Sequence, residues 1–269
     1  MKNCSVWFAL LAVLACVSIN TGCASSSAVP KATAGLWAGY LQPEALPDSL
    51  VLLPPPPAAG SAALALDEDV SRKSFALRGT PRWALATVDA NLTFPEAAGT
   101  FSCALEAPIT EKDTPHLYLL LQRVRVDVGN STSRAKSHYG RARPFAVNKE
   151  PSCTPDEEKF LEMNGSYPSG HTAVGWAWAL ILGEIAPEQI DKVLARGRTF
   201  GESRVICNVH WQSDVIEGRF LGAGAVSRLH ADPIFRADLE AAKAELAAVR
   251  AKGLKPQRDC AAENAATAK

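Results

Sequence analysis

An apolar run in the second half of the chain is the feature that most limits its fold. Residues 172–183 follow the sequence Pro-Ser-Gly-His, and apolar or small residues cover every side of the helix that they predict. A membrane span needs about 20 residues, so this run is too short to cross a bilayer. We therefore expect a helix over 169–184 that is buried at the centre of a domain.

Helical spacing also dominates the rest of the chain. Apolar residues three and four positions apart predict a helix that begins at 114–115, two more over 187–199 and 214–229, and a last one that ends near Gly253. No stretch alternates with a period of two for long enough to indicate a β-sheet, and no internal repeat is visible. The predicted fold class is all-α, a single-domain helical bundle.

Composition divides the chain around this bundle. Residues 29–60 are rich in proline and alanine, with four consecutive prolines at 54–57, and predict an extended N-terminal arm. Residues 61–255 hold the helical patterns and predict the main folded domain, which also contains every candidate site residue described below. We expect the remaining residues, 256–269, to form a frayed tail.

Residues 1–28 have the order of a bacterial export signal. Lys2 gives a positive start, residues 6–19 are an almost unbroken apolar run, and small residues follow. Two processing sites remain open, namely lipidation of Cys23 or ordinary cleavage after Ala28. The first predicts a membrane-anchored lipoprotein, whereas the second predicts a periplasmic or secreted protein.

Four of the seven cysteines lie beyond this leader, and these are Cys103, Cys153, Cys207 and Cys260. In an exported protein, four cysteines predict two disulfides, with three connectivities that the sequence leaves open. No two of the four have the close spacing of a zinc site. The chain carries 28 basic and 28 acidic residues, so no basic excess indicates binding to nucleic acid.

Two histidines lie in sequence patterns that favour a role in a reaction. His210 and Asp214 are four positions apart, which on a helix places both side chains on one face. A carboxylate that holds one imidazole nitrogen leaves the other free as a nucleophile or base. Gly170 and His171 open the apolar helix, where free backbone N–H groups and a glycine allow an anion to approach closely.

Three cations lie near these residues, namely Lys136, Arg143 and Arg204. A phosphoryl group in transfer needs cations and N–H donors around its charged oxygens, a nucleophile on one side and a proton donor on the other. The sequence offers all of these groups, but no carboxylate cluster that would hold magnesium. It therefore predicts phosphoryl transfer with no metal and no other cofactor.

In combination, these segments resemble a known family. Their patterns Lys-x6-Arg-Pro, Pro-Ser-Gly-His and Ser-Arg-x5-His-x3-Asp are similar to those of the type 2 phosphatidic acid phosphatase superfamily. Residues 165–172 and 203–214 resemble the class A bacterial non-specific acid phosphatases in particular, and the resemblance covers most of the mature chain. The positions that match the patterns are Lys136, Arg143, Pro144, Pro168, Ser169, Gly170, His171, Ser203, Arg204, His210 and Asp214.

The resemblance implies an all-α bundle of the acid phosphatase and vanadium haloperoxidase type, and metal-independent hydrolysis of phosphate monoesters. His210 would form a phosphohistidine, Asp214 would orient it, and His171 would protonate the leaving alcohol. Glu111 would border the mouth of the substrate pocket, unless it is only a charge at the entry of the helix ahead of Leu117. If both histidines have pKa values near 6.5, activity should peak between about pH 5 and 7. The groups that would grip the phosphoryl oxygens are Lys136, Arg143, Ser169, Gly170 and Arg204.

Two related activities use the same site. Lipid phosphate or polyprenyl diphosphate phosphatases usually carry several membrane spans, whereas only the leader could enter a bilayer here. Vanadium haloperoxidases are typically much larger chains. A phosphate-binding lipoprotein would have no need for His210, Asp214 and His171 together. The prediction is thus an acid phosphatase of broad specificity for small phosphate esters, for which the resemblance also allows a homodimer.

Overall fold

A computed structural model describes residues 38–268, and α-helices joined by short 3₁₀ turns make up the fold of this range. The described residues contain no β-strand, so the all-α prediction is confirmed. The predicted leader, including Cys23, lies outside this range. The helices are α1 (Ser49–Leu52), α2 (Ala62–Ser74), α3 (Pro81–Val88), α4 (Ser102–Leu105), α5 (Pro115–Ser131), α6 (Ser133–Tyr139), α7 (Pro144–Asn148), α8 (Glu158–Glu162), α9 (Gly170–Ile185), α10 (Ile190–Ile206), α11 (Gln212–Leu229), α12 (Pro233–Ala251) and α13 (Cys260–Thr267).

Helix α9 is the apolar helix that the sequence predicts, and it packs against α5, α10, α11 and α12. Most of its side chains are buried, as expected for a central helix. A Cβ atom at Gly218 of α11 would lie only 2.6 Å from the carbonyl oxygen of Ser169, and one at Gly222 only 2.5 Å from that of Ala173. Glycine has no Cβ atom, so these two positions allow α11 to lie directly against the beginning of α9.

Helices α5 and α12 pack on α9 through the residues whose spacing predicts them. Their apolar positions belong to the largest hydrophobic cluster of the protein, together with those of α9. Burial of these side chains removes apolar surface from water and is the main stabilising contribution of the two helices. The buried positions are Leu117, Leu120, Leu121, Val124 and Val128 in α5, and Phe235, Leu239, Ala242, Leu246 and Val249 in α12.

The N-terminal arm is less extended than its composition predicts. Its described part, 38–60, contains a 3₁₀ turn and the short helix α1. Asp48 caps α1, because its side chain accepts a hydrogen bond of 3.0 Å from the backbone N–H of Leu50. The backbone N–H of Tyr40 donates to the carboxylate of Asp127 on α5 at 2.7 Å. This part of the arm is therefore fixed to the helical bundle.

The chain after α12 also differs from the expected frayed tail, because it forms α13. A disulfide between Cys103 and Cys260 holds the first residue of this helix. Glu263 accepts a hydrogen bond of 3.0 Å from the buried guanidinium of Arg196 on α10. The other disulfide joins Cys153 to Cys207, so the structure assigns one of the three connectivities.

Candidate active site

His210 lies between α10 and α11 and is only 2% exposed. Its Nδ1 atom is 3.2 Å from Oγ of Ser166 and 3.4 Å from Oδ2 of Asp214. The sequence predicts His210 and Asp214 on one face of a helix. In the structure only Asp214 is helical, because Trp211 is the N-cap of α11 and His210 precedes it. The contact forms because Oδ2 of Asp214 folds back over the helix start, where it also accepts from the backbone N–H of Trp211 at 2.8 Å.

Asp214 is fully buried and pairs with an arginine that the sequence analysis did not single out. Nη1 of Arg141 donates to Oδ1 of Asp214 at 2.6 Å, and Nη2 donates to Asp67 on α2 at 2.7 Å. Asp67 in turn accepts a hydrogen bond of 2.8 Å from the backbone N–H of Ser213. Arg141 therefore joins two buried carboxylates and fixes the one that contacts His210.

The guanidinium of Arg143 lies in front of His210. Its Nη1 is 3.2 Å from Nε2 of the imidazole and also donates to the carbonyl oxygen of Val209 at 3.0 Å. Its Nε donates to the carbonyl oxygen of Leu161 at 2.8 Å. Arg143 is the N-cap of α7, and Pro144 opens that helix. These contacts hold a charged group in one orientation without neutralising its charge.

Arg204 and Lys136 complete the cationic part of the site. All three guanidinium nitrogens of Arg204 are buried and have no hydrogen-bond partner among the described residues. Nζ of Lys136 donates to the carbonyl oxygen of Gly165 at 2.6 Å. A buried cation without a partner is costly, so this arrangement favours the binding of an anion.

The electrostatics of the three cations agree with this interpretation. Burial and the nearby Arg143 lower the pKa of Lys136 to about 7. Burial lowers the pKa of Arg143 to about 10, and burial together with Arg143 lowers the pKa of Arg204 to about 10. Each group thus loses part of its preference for the charged form in the free site. A bound dianion would restore that preference.

The beginning of α9 brings three predicted residues together. Ser169 is the N-cap, and its Oγ accepts from the backbone N–H of Thr172 at 3.3 Å and from the hydroxyl of the same residue at 2.9 Å. Its own hydroxyl proton remains available as a donor. Nε2 of His171 is 2.8 Å from the carbonyl oxygen of Ala90. Because a carbonyl oxygen only accepts, Nε2 carries a proton, and Nδ1 is the nitrogen that can exchange one. Gly170 opens the helix between them.

A cavity of about 340 Å³ joins most of these groups. Of the predicted site residues, those that line it are Lys136, Arg143, Gly170, His171, Arg204 and His210. Asp214 and Ser169 are buried and are not part of the lining. Glu111 is exposed on the turn before α5 and also lies outside the lining. Within residues 38–268, no three His, Cys, Asp or Glu side chains are grouped as a metal ion would require.

The two histidines depart from the ordinary imidazole pKa on which the sequence-based pH expectation rests. Burial is the main cause that lowers the pKa of His210 well below 6.5, and the nearby Arg143, Lys136 and Arg204 lower it further. Burial and Arg204 likewise lower the pKa of His171 well below 6.5. Both imidazoles are therefore neutral in the free site at neutral pH, because burial, and after it the positive neighbours, oppose protonation.

The structure adds Ser166, Arg141, Asp67 and Arg125 to the residues singled out from the sequence. Ser166 and Arg141 lie inside the matched segments. The sequence therefore indicated their location, but residue type alone did not assign them a role. Asp67 is remote in the sequence and becomes relevant only through its contact with Arg141. Arg125 lines the cavity from α5, a helix that the sequence analysis used only for its apolar face.

Comparisons with known proteins agree with this geometry. Residues 117–233 match the model of the PAP2 superfamily. The chain is 47% identical over 212 residues to a non-specific acid phosphatase of Providencia stuartii, which covers 78% of this chain and 86% of the relative. It is 42% identical over 208 residues to a non-specific acid phosphatase of Salmonella typhimurium, covering 77% and 83%. An acid phosphatase of Zymomonas mobilis is 39% identical, covering 78% and 79%. The chain therefore belongs to the PAP2 superfamily and, within it, to the class A bacterial non-specific acid phosphatases.

Proposed function

We propose that this protein hydrolyses phosphate monoesters of broad specificity through a phosphohistidine formed on His210. The relatives are named acid phosphatases, and membership of their family supports the same activity here. The observation that carries the proposal is the pairing of two features in one cavity. Nε2 of His210 lies 3.2 Å from Nη1 of Arg143, and both residues line that cavity. The buried guanidinium of Arg204, which also lines it, has no partner among the described residues.

The first step forms the covalent intermediate. The lone pair of Nε2 of His210 attacks phosphorus, while the bond between phosphorus and the leaving oxygen breaks. Nδ1 of His171 gives its proton to that oxygen, so the leaving group departs as an alcohol. Asp214 offsets the positive charge that develops on the imidazole of His210.

The cationic groups act on the phosphoryl oxygens during this step. Negative charge on these oxygens is held by Lys136, Arg143 and Arg204, with the backbone N–H of Gly170 and the hydroxyl of Ser169 as further donors. These positive groups supply what a magnesium ion supplies in many other phosphoryl-transfer sites. They are fixed before substrate arrives, so little reorganisation is needed when charge develops.

The second step returns the enzyme to its starting form. His171 is neutral after the first step, and its Nδ1 takes a proton from a water molecule. The oxygen of that water attacks phosphorus, the bond between phosphorus and Nε2 breaks, and the electron pair returns to His210. Inorganic phosphate then leaves the cavity.

One set of assays tests the proposed activity. Signal-free protein is incubated with p-nitrophenyl phosphate, small alkyl phosphates and a short-chain phosphatidic acid at pH 5 to 7, with excess EDTA. We expect release of phosphate from the monoesters at a rate that EDTA leaves nearly unchanged. A parallel assay measures bromide oxidation with vanadate and peroxide. Oxidation of bromide without hydrolysis of the esters, or a rate restored only by one divalent ion, would contradict the proposal.

We also propose that the enzyme is exported. The support comes from the predicted leader and from the two disulfides, which form in oxidising compartments. Residues 38–268 contain no helix with the length and hydropathy of a membrane span. The mass of the mature N-terminus would distinguish cleavage after Ala28 from lipidation of Cys23, and size-exclusion chromatography would test the predicted homodimer.

A further inference from the structure

Arg125 is a cation of the cavity that the proposed mechanism does not use. It lies on α5, eleven positions before Lys136, and both side chains line the same cavity. Lys136 belongs to the separate helix α6, so the two cations reach the cavity from different helices. Ser133 and Ser137 of α6 line the same cavity.

The surroundings of Arg125 differ from those of its neighbour Arg123. Arg123 donates to Asp238 at 3.1 Å and to the carbonyl oxygens of residues 38 and 39. Nε of Arg125, in contrast, is buried without a hydrogen-bond partner among the described residues. Burial lowers the pKa of Arg125, and no carboxylate offsets this effect. A half-buried guanidinium beside a cavity, with no anionic partner, is costly unless a ligand supplies one.

We propose that Arg125 binds a second phosphate group, carried by the leaving alcohol of the substrate. The inference rests on the proposed function, because it assumes that the first phosphate binds at Lys136, Arg143 and Arg204. A guanidinium offers two parallel N–H donors that match the oxygens of a phosphate. Ser133 and Ser137 line the same cavity and offer hydroxyl groups to the rest of the substrate.

Substrate pairs that differ by one phosphate test this subsite. Fructose 1,6-bisphosphate is compared with fructose 6-phosphate, which places the second phosphate across a sugar. ADP is compared with AMP, which places it next to the first. The quantity measured is the ratio of kcat/KM within each pair, so that effects common to all anionic substrates cancel.

Two variants remove the charge with different shapes, Arg125→Met and Arg125→Gln. Each should lower the ratio for at least one pair about tenfold, the effect of losing one charged hydrogen-bonded contact. A drop in the fructose pair would mean that the second phosphate binds across a spacer, and a drop in the ADP pair that it binds next to the first. The matched control is Arg228→Ala, an exposed arginine of α11 outside the cavity lining, which should leave both ratios unchanged.

Inhibition gives a second measurement that does not depend on turnover of these substrates. Inorganic phosphate and methylenediphosphonate compete with p-nitrophenyl phosphate, and only the diphosphonate carries a second phosphoryl group. If the subsite accepts adjacent phosphates, Arg125→Met should raise the inhibition constant of the diphosphonate more than that of phosphate. The proposal is overturned if both substrate ratios stay within twofold of wild type, or if Arg228→Ala lowers them equally. Failure of wild type to hydrolyse p-nitrophenyl phosphate would instead overturn the proposed function.

Discussion

Nη1 of Arg143 lies 3.2 Å from Nε2 of His210. A guanidinium nitrogen donates but does not accept, so Nε2 must present its lone pair toward Arg143 and the cavity. The proton of the neutral imidazole is then on Nδ1, which faces Ser166 and Asp214. The contacts of the imidazole thus select the tautomer that a nucleophilic histidine needs, and they select it before substrate binds.

The first prediction concerns the covalent intermediate on His210. Protein mixed rapidly with ³²P-labelled substrate and quenched without acid should carry label that is labile to acid and stable to base, as expected for a phosphohistidine. His210→Ala should carry none, because it lacks the Nε2 lone pair. Peptide mapping by mass spectrometry locates the label. Label on a serine, or none in a variant slowed at His171, would exclude the proposed nucleophile.

The second prediction concerns the leaving group and His171. Nδ1 of this residue is the nitrogen that can exchange a proton, because Nε2 bonds to the carbonyl oxygen of Ala90. His171→Ala should slow the hydrolysis of alkyl phosphates by about 10²- to 10⁴-fold, the usual contribution of a general acid. It should slow p-nitrophenyl phosphate much less, because p-nitrophenolate leaves without a proton. Equal slowing of both substrates would mean that His171 only holds phosphate.

How much of this site the sequence predicts depends on the type of contact. The apolar faces of α5, α9 and α12 repeat along the chain, so periodicity alone locates them. The motif spacing likewise identifies residues that converge on one cavity. Asp67 has no such signal, because its role depends on a contact with Arg141, 74 positions away. The sequence does not predict the pKa shifts of the histidines either, since burial and neighbouring charges cause them.

The C-terminal segment shows that the fold, like the site, contains features that local sequence does not predict. Residues 260–267 lack a strong apolar pattern, and only Glu263 among them is buried. This segment is ordered by long-range contacts, namely the disulfide to Cys103 and the hydrogen bond to Arg196. Local propensity contains no information about such partners. A helix that depends on them is therefore not predicted from its own sequence.

The third prediction concerns the positioning residue Arg141. Arg141→Met should lower the free energy of unfolding by about 3 kcal/mol, because two buried carboxylates, Asp214 and Asp67, lose their cationic partner. It should also lower kcat more than it changes KM, since the proposed role of Asp214 is to orient the nucleophile His210. Arg141→Lys should recover part of both losses. Thermal and urea unfolding measure the first effect, and steady-state kinetics with p-nitrophenyl phosphate measure the second.

A surface ion pair provides the control for this variant. Arg134 pairs with Asp48, and 64% of the arginine side chain is exposed. Arg134→Met should cost less than about 1 kcal/mol and leave kcat unchanged, because solvent screens an exposed pair. If Arg141→Met is as mild as this control in both measurements, Arg141 does not position Asp214.

The fourth prediction concerns pH. A lowered pKa keeps His210 neutral, and thus nucleophilic, well below pH 6.5, so the acid limb of kcat/KM should lie below that value. The pKa of Lys136 is about 7 in the free site, so its charge is lost as the pH rises through 7. With p-nitrophenyl phosphate, whose leaving group scarcely needs a proton, kcat/KM should therefore fall above about pH 7. With an alkyl phosphate it should fall at lower pH, because His171 must also be protonated.

The complex with substrate should behave differently from the free enzyme. A bound phosphate dianion favours the charged forms of His171 and Lys136 and raises both pKa values. Since kcat reports the complex and kcat/KM reports the free enzyme, the alkaline limb of kcat should lie at higher pH than that of kcat/KM. Profiles of both parameters from pH 4 to 9, with each substrate, measure the separation. Coincident alkaline limbs would mean that phosphate does not shift these groups, and a rate that rises steadily to pH 9 would contradict a protonated His171 in the reaction.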